Sequence, residues 1–261
     1  MTAAFEQAFW YANLAVEAGL LARLLTTRLC RSFPLFSAYL ALEWTRALVL
    51  LAFAPAASSG HYWVLWAWTE PVIILLEFAA VYEAVGRIGS TYPQLGKVGR
   101  FVVLACVIAA AIMAAFSIAG DIRTLDRWTG PMVIRHASFD VRRAASIGLA
   151  GVIACVLGCT LFWQSRMPRN TRLHACLLCL LLATNGIAYT VLDYHLLSRR
   201  NVSILTLGVA CILFTVWILK LSLAGEETPA PSRIVSDEEA GESRDRFRTL
   251  VRSVRAAVWG R

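Results

Sequence analysis

Hydrophobic residues in this chain fall into long blocks separated by short polar stretches. Seven blocks reach membrane-spanning length: residues 6–27, 35–55, 62–84, 101–119, 144–163, 173–195 and 202–224. A bilayer core of about 30 Å needs roughly 20 apolar residues in a helix rising about 1.5 Å per residue. Hydrocarbon offers no partner for backbone N–H and C=O groups, so runs of this length are helices. The pattern predicts an all-α integral membrane bundle of seven transmembrane helices over residues 1–224. The first block carries Glu6 and no preceding basic segment, and it is too long for a signal-peptide core. It reads as a retained helix.

Composition agrees with that class. The chain has 261 residues, 58% of them hydrophobic and 16% charged, where soluble domains have roughly 25% charged residues. Its mean hydropathy is +0.62. The formal net charge is +8, and its placement predicts orientation, because Lys and Arg beside membrane spans favour the cytoplasm. With the N-terminus outside, the inner segments carry Arg28 and Arg31, then Arg87, Lys97 and Arg100, then Arg166, Arg169 and Arg172, with Lys220 ending the last helix. The outer segment 56–61 has no Lys or Arg. The outer segment 120–143 fits less well, with Arg123, Arg127, Arg135, Arg142 and Arg143 partly offset by Asp121, Asp126 and Asp140. Arg199 and Arg200 also fall outside. Trp10, Tyr11, Tyr62, Trp63, Trp66 and Trp68 gather at one face, as interfacial belts do. Nothing in 132–143 breaks a helix, so the fifth helix is expected to start outside the membrane and present Arg135, Asp140, Arg142 and Arg143 there.

After residue 224 the character changes. Residues 225–242 are acidic, contain Pro229 and Pro231, and read as a disordered linker. In 243–261, Phe247, Leu250, Val251, Val254 and Val258 recur at helical spacing, with Arg244, Arg248, Arg252 and Arg255 on the other side. This predicts a basic amphipathic cytoplasmic helix on anionic membrane lipids. A partner-binding or merely solvated helix is the alternative.

Charges inside the membrane cost at least ~2.5–3.5 kcal/mol each and attract functional readings. They concentrate in the first three helices: Glu17, Glu43, Arg46, Glu70 and Glu77. Glu17 and Arg46 lie near the middles of their helices, and Glu43 is one turn from Arg46 on the same face. Glu70 and Glu77 are seven apart, hence on one face and about 10 Å apart along the axis. One guanidinium then faces four carboxylates, and full ionisation would leave three negative charges unmatched in a low-dielectric interior. Protonation, water or a bound cation would relieve this. Two readings stand: interhelical glue centred on Arg46, and a cation, proton or ligand site. Pro71, beside Glu70, removes a backbone donor there.

Other candidates are weaker. Cys155, Cys159, Cys176 and Cys179 lie on neighbouring helices, but a thiolate metal site needs four converging ligands. Cysteine also suits the small-residue packing surface of Gly148, Gly151, Ala154 and Gly158. The seven cysteines, which include Cys30, Cys106 and Cys211, avoid the outer segments, so no disulfide framework is expected. His61, Asp193 and His195 read as interfacial polar residues. Zinc-protease, nucleophile-elbow, Walker and dinucleotide-binding motifs are absent, so no catalytic constellation, metal or cofactor is expected. Lys220 sits where a snorkelling anchor belongs, too near the helix end for a retinal Schiff base. Pro93-Gln94 occurs once, unlike the paired motifs of PQ-loop transporters.

Four further stretches stand out: Phe9-Trp10, Arg31-Ser-Phe-Pro-Leu-Phe-Ser-Ala-Tyr39, Tyr82-Glu-Ala-Val85 followed by Tyr92-Pro-Gln-Leu95, and Gly186-Ile187. In them the chain resembles an uncharacterised family of seven-helix membrane proteins common in acidobacterial genomes. The resemblance implies the topology and brings no activity. The family is similar in topology to bacterial seven-helix sensor modules. The leading expectation is an inner-membrane signal- or ligand-sensing module acting through a cytoplasmic protein partner, with no role for nucleic acid. The alternative is a transporter of protons or small cations through the Glu-rich half.

Overall fold

The computed structural model describes residues 2–53, 61–91, 93–122, 130–162 and 167–222, with Gly225, Asp245 and Thr249 as isolated positions. Seven α-helices lie among the described residues: α1 (Thr2–Thr26), α2 (Pro34–Phe53), α3 (His61–Thr91), α4 (Pro93–Ile122), α5 (Gly130–Phe162), α6 (Arg169–Asp193) and α7 (Arg199–Lys220). Six of them contain a stretch long and apolar enough to cross a membrane: Pro34–Ala52, Val64–Ser90, Pro93–Phe116, Ala137–Thr160, Arg169–Asp193 and Arg199–Lys220. α1 falls short of that apolar density because Asn13, Glu17 and Arg23 interrupt it.

Chain neighbours pack in sequence from α1 to α7, and α7 returns to α1. α3 is the hub, because it meets α2, α4, α5 and α6. Its buried face carries Ile73, Ile74, Phe78, Val81, Val85 and Ile88. α4 turns the other way: Phe101, Leu104, Ile108, Ile112 and Phe116 are exposed along it. In water such a stripe would be a liability, whereas lipid accepts it without cost.

The connections explain the helix limits. α1 ends in a left-handed residue, Arg28 (φ 56°), which turns the chain into a short 3-10 turn at Leu29–Arg31. Pro34 then opens α2, where its missing N–H is no loss. α3 and α4 run well beyond the apolar blocks expected of them and pack against each other as a helical hairpin. Gly89 and Gly96 make that hairpin possible. A Cβ on either would strike the backbone of the other, so the two helices touch main chain to main chain. α5 begins at Gly130, well before its apolar block, as the lack of a breaker predicts. Ser198 caps α7 by accepting a hydrogen bond from the Asn201 N–H at 3.3 Å.

The inner ends are tied by backbone-directed polar contacts ("inner" here denotes the end where α1, α3, α5 and α7 finish). Arg23 donates to the Leu221 carbonyl at 2.6 Å, and Asn170 donates to the Ser222 carbonyl at 2.6 Å. The first satisfies the carbonyl of the residue that caps the end of α7, and the second adds to the Gly225 N–H, which reaches the same Ser222 carbonyl at 3.1 Å. At the start of α2, the Glu83 carboxylate accepts the Leu35 N–H at 2.6 Å, placing a negative group at a helix N-terminus. Beside it, the Arg87 guanidinium lies 4.7 Å above the Phe33 ring.

Candidate functional site

The buried charges gather where α2, α3 and α5 meet. Glu70 is fully buried on the hub helix, and each of its oxygens accepts from a different arginine. Arg46 reaches Oε2 from α2, and Arg142 reaches Oε1 from α5. Arg46 also donates to Glu43 Oε1 at 2.8 Å, one turn back on its own helix. Arg142 donates its second nitrogen to Glu77 Oε1 at 2.8 Å. Glu70 and Glu77 are thus bridged by a single guanidinium, as their seven-residue spacing on one face allows. Tyr39 donates to the same Glu77 oxygen at 3.5 Å.

Arg142 corrects the reading from sequence. It was expected outside the membrane, at the exposed end of the fifth helix, which left Arg46 as the sole buried cation. Instead it lies in the core of the network, with 5% exposure. Its face of α5 carries Ser138, Val141, Ala145, Ser146, Leu149 and Ile153, all buried. Its neighbours Asp140 and Arg143 point elsewhere: Arg143 pairs with Asp140 at 3.7 Å and also with Asp193 of α6. The charge count changes accordingly. Glu43, Glu70 and Glu77 contact two guanidiniums, and with Glu17 counted the excess is two carboxylates rather than three.

Glu17 does not join the arginines. Its Oε1 accepts from Asn13, one turn earlier, at 2.9 Å, and Asn13 in turn accepts a long contact from the Cys211 thiol of α7 at 3.7 Å. Glu17, Glu43 and Glu77 each keep one buried oxygen without a hydrogen-bond partner, as do Arg142 Nε and Ser146 Oγ. Buried polar atoms of this kind call for water, a proton or a ligand.

Aromatic side chains close the network on both sides. Toward the outer ends, Trp66 stacks on Phe139 at 5.2 Å, and Phe139 meets Tyr189 edge-on at 5.5 Å. Trp66 is one turn from Glu70, and Phe139 is nearly one turn from Arg142. The Tyr189 ring itself lies 5.8 Å from the Arg142 guanidinium. Toward the inner ends lies a second aromatic layer that sequence reasoning missed. His174 sits between Phe33 at 4.5 Å and Phe36 at 4.6 Å, and Trp217 stands 5.7 Å away. Both ring nitrogens of His174 and Nε1 of Trp217 are buried without a partner.

The remaining candidates lie apart. Cys155 and Cys176 are exposed, Cys179 donates to the Ala150 carbonyl at 3.3 Å, and no cluster that could hold a metal occurs among the described residues. Lys220 is exposed at the last turn of α7. The residues of the expected tail helix, Phe247, Arg248, Leu250, Val251, Arg252, Val254 and Arg255, lie outside the described residues.

On the length and composition of its helices, the chain is a polytopic α-helical membrane protein. Comparison with protein-family models, curated proteins and solved structures finds no match.

Proposed function

We propose that this protein is a seven-crossing inner-membrane sensing module, N-terminus outside and C-terminus cytoplasmic, that acts through a cytoplasmic partner. The observation that carries the reading is the double engagement of Glu70. One carboxylate on the hub helix fixes α2 through Arg46 and α5 through Arg142. Any change in what occupies this node alters the contacts of three helices at once. Interiors are close-packed and do not deform smoothly, so such a change favours a discrete repacking. The same helices reach the inner ends, where a partner would read it. The expected acidic linker and basic tail helix belong to this picture, and so does the resemblance to the seven-helix family named above.

A second reading, transport of protons or small cations, is favoured by the three open carboxylate oxygens on Glu17, Glu43 and Glu77. The two readings part experimentally. Spin labels at Arg31 and Lys97, both exposed near the inner ends, report the packing of α2 and α4. Sensing predicts that Glu70→Gln redistributes their distance while proteoliposomes remain tight to protons. An unchanged distance distribution sinks it. Proton flux in liposomes carrying the parent protein, abolished by Glu17→Gln or Glu77→Gln, would install transport in its place. Orientation is checked separately. Cysteine at Ser59 should react with an impermeant reagent from outside the cell, and cysteine at Gln94 should not.

A further inference from the structure

The α3–α4 hairpin carries a basic side chain whose position the ion network does not explain. Arg100 lies one helical turn from Lys97 on α4. Gly86 of α3 leaves a notch that the Arg100 guanidinium fills; a methyl group there would collide with it. The same guanidinium lies 5.0 Å above the ring of Tyr82, also on α3. The arginine is therefore held in place by shape and by a cation–π contact. No carboxylate pairs with Arg100 or Lys97 among the described residues. Around them the surface is apolar and outward-facing: Val98 and Phe101 are 61% and 72% exposed, and Tyr82 is 42% exposed.

A fixed, unpaired guanidinium, an ammonium one turn away, a phenol and flanking apolar side chains suit one chemistry. The guanidinium fork matches phosphate oxygens, the lysine adds a second positive charge, and Val98 and Phe101 meet acyl chains. The height is right as well. Arg100 and Tyr82 stand within three turns of the inner ends of α4 and α3, where headgroups meet hydrocarbon. We infer that the groove between α3 and α4, formed by Arg100, Lys97 and Tyr82, binds the headgroup of an anionic phospholipid. This inference needs the membrane class alone and is independent of the sensing reading.

The test uses the full-length protein in neutral detergent, with thermal unfolding followed as lipid is added. Phosphatidylglycerol should raise the unfolding temperature, and phosphatidylcholine should not. Arg100→Gln, an exposed substitution that leaves the core intact, should weaken the phosphatidylglycerol effect about tenfold or more in midpoint concentration, since a hydrogen bond to a charged group contributes about 1.5–3 kcal/mol. Gly86→Ala, which evicts the guanidinium without removing it, should weaken the effect in the same direction. Arg169→Gln, an exposed charge at the start of α6 outside the α3–α4 groove, should leave it intact. Three results would overturn the proposal. These are equal shifts with both lipids, equal weakening by Arg169→Gln and Arg100→Gln, or an effect reproduced in full by inorganic phosphate. The first removes the headgroup, the second reduces the groove to general surface charge, and the third makes the ligand a free anion.

Discussion

The protein has two buried layers rich in polar atoms, and they are held by opposite means. In the ionic layer, Arg46, Glu70, Arg142 and Glu77 are joined by charge-assisted hydrogen bonds, with one oxygen of Glu77 and Nε of Arg142 left over. In the inner aromatic layer, His174 and Trp217 have no hydrogen-bond partner for their ring nitrogens and are held by ring contacts with Phe33, Phe36 and Phe214. The first layer is directional, and removing one member strands a charge. The second is a matter of shape, and its nitrogens contribute no visible bond. The contrast teaches that burial of a polar residue does not by itself mark it as important to the fold. What counts is what would be left behind on removing it.

The largest expected effect is at Arg142. Arg142→Ala leaves Glu77 without a cation and strips one oxygen of Glu70, so it should cost at least ~3–5 kcal/mol, the usual range for breaking a buried pair from one side. Arg142→Lys should recover part of this, because an ammonium cannot engage two carboxylates with a planar fork. Thermal unfolding in detergent checks both. If Arg142→Ala melts like the parent, Arg142 faces water and the layer is not closed.

Arg46→Ala should be milder. Glu70 keeps Arg142, and Glu43 is only half-buried, with 23% side-chain exposure. The same assay separates the partners of Arg46. Adding Glu43→Gln should recover stability in the Arg46→Ala background, whereas adding Glu17→Gln should not, because Glu17 bonds to Asn13. Rescue by Glu17→Gln alone would place Arg46 against α1 instead.

His174→Phe should have the smallest effect, neutral to slightly stabilising, within about 1 kcal/mol of the parent. It exchanges a ring for a ring and removes two unpaired buried nitrogens, and replacing unsatisfied polar groups by apolar ones of similar shape is close to neutral or stabilising. A loss as large as that of Arg46→Ala would show that His174 holds an essential water or ligand and would erase the contrast.

Much of this architecture was legible from the residues. The blocks of apolar sequence located the seven helices found among the described residues, and Glu70 and Glu77 share one face because seven residues make two turns. Glu43 and Arg46, three residues apart, were placed on one face of their helix, while the partner of Arg46 was left open among Glu17, Glu43 and Glu77. Arg142 was misplaced because the charge count treated 120–143 as one outer segment, and Asp140 and Arg143 beside it do lie at a more exposed site. The missing signal was periodicity: Ser138, Val141, Ala145, Ser146 and Leu149 recur around Arg142 at the spacing of a buried stripe. The motif Arg31–Tyr39 and Glu83 both proved to act at one place, the start of α2, although nothing in the sequence told that Glu83 would cap that helix. His174 carried no local signal, since a single histidine in an apolar run looks the same whether it meets rings or lipid.

The central claim is that Glu70 is bound from two helices at once, and a double-mutant cycle between Arg142 and Glu70 tests it most directly. Arg142→Gln, Glu70→Gln and the double variant would be compared with the full-length parent by thermal unfolding in one detergent. Residues in one ion network couple by about 0.5–3 kcal/mol, and independent sites add within about 0.3–0.5 kcal/mol. The structure predicts a coupling above about 1 kcal/mol, with the double variant more stable than the sum of the single losses allows. Losses that simply add would mean that Arg142 and Glu70 do not meet, and the three-helix node would not exist.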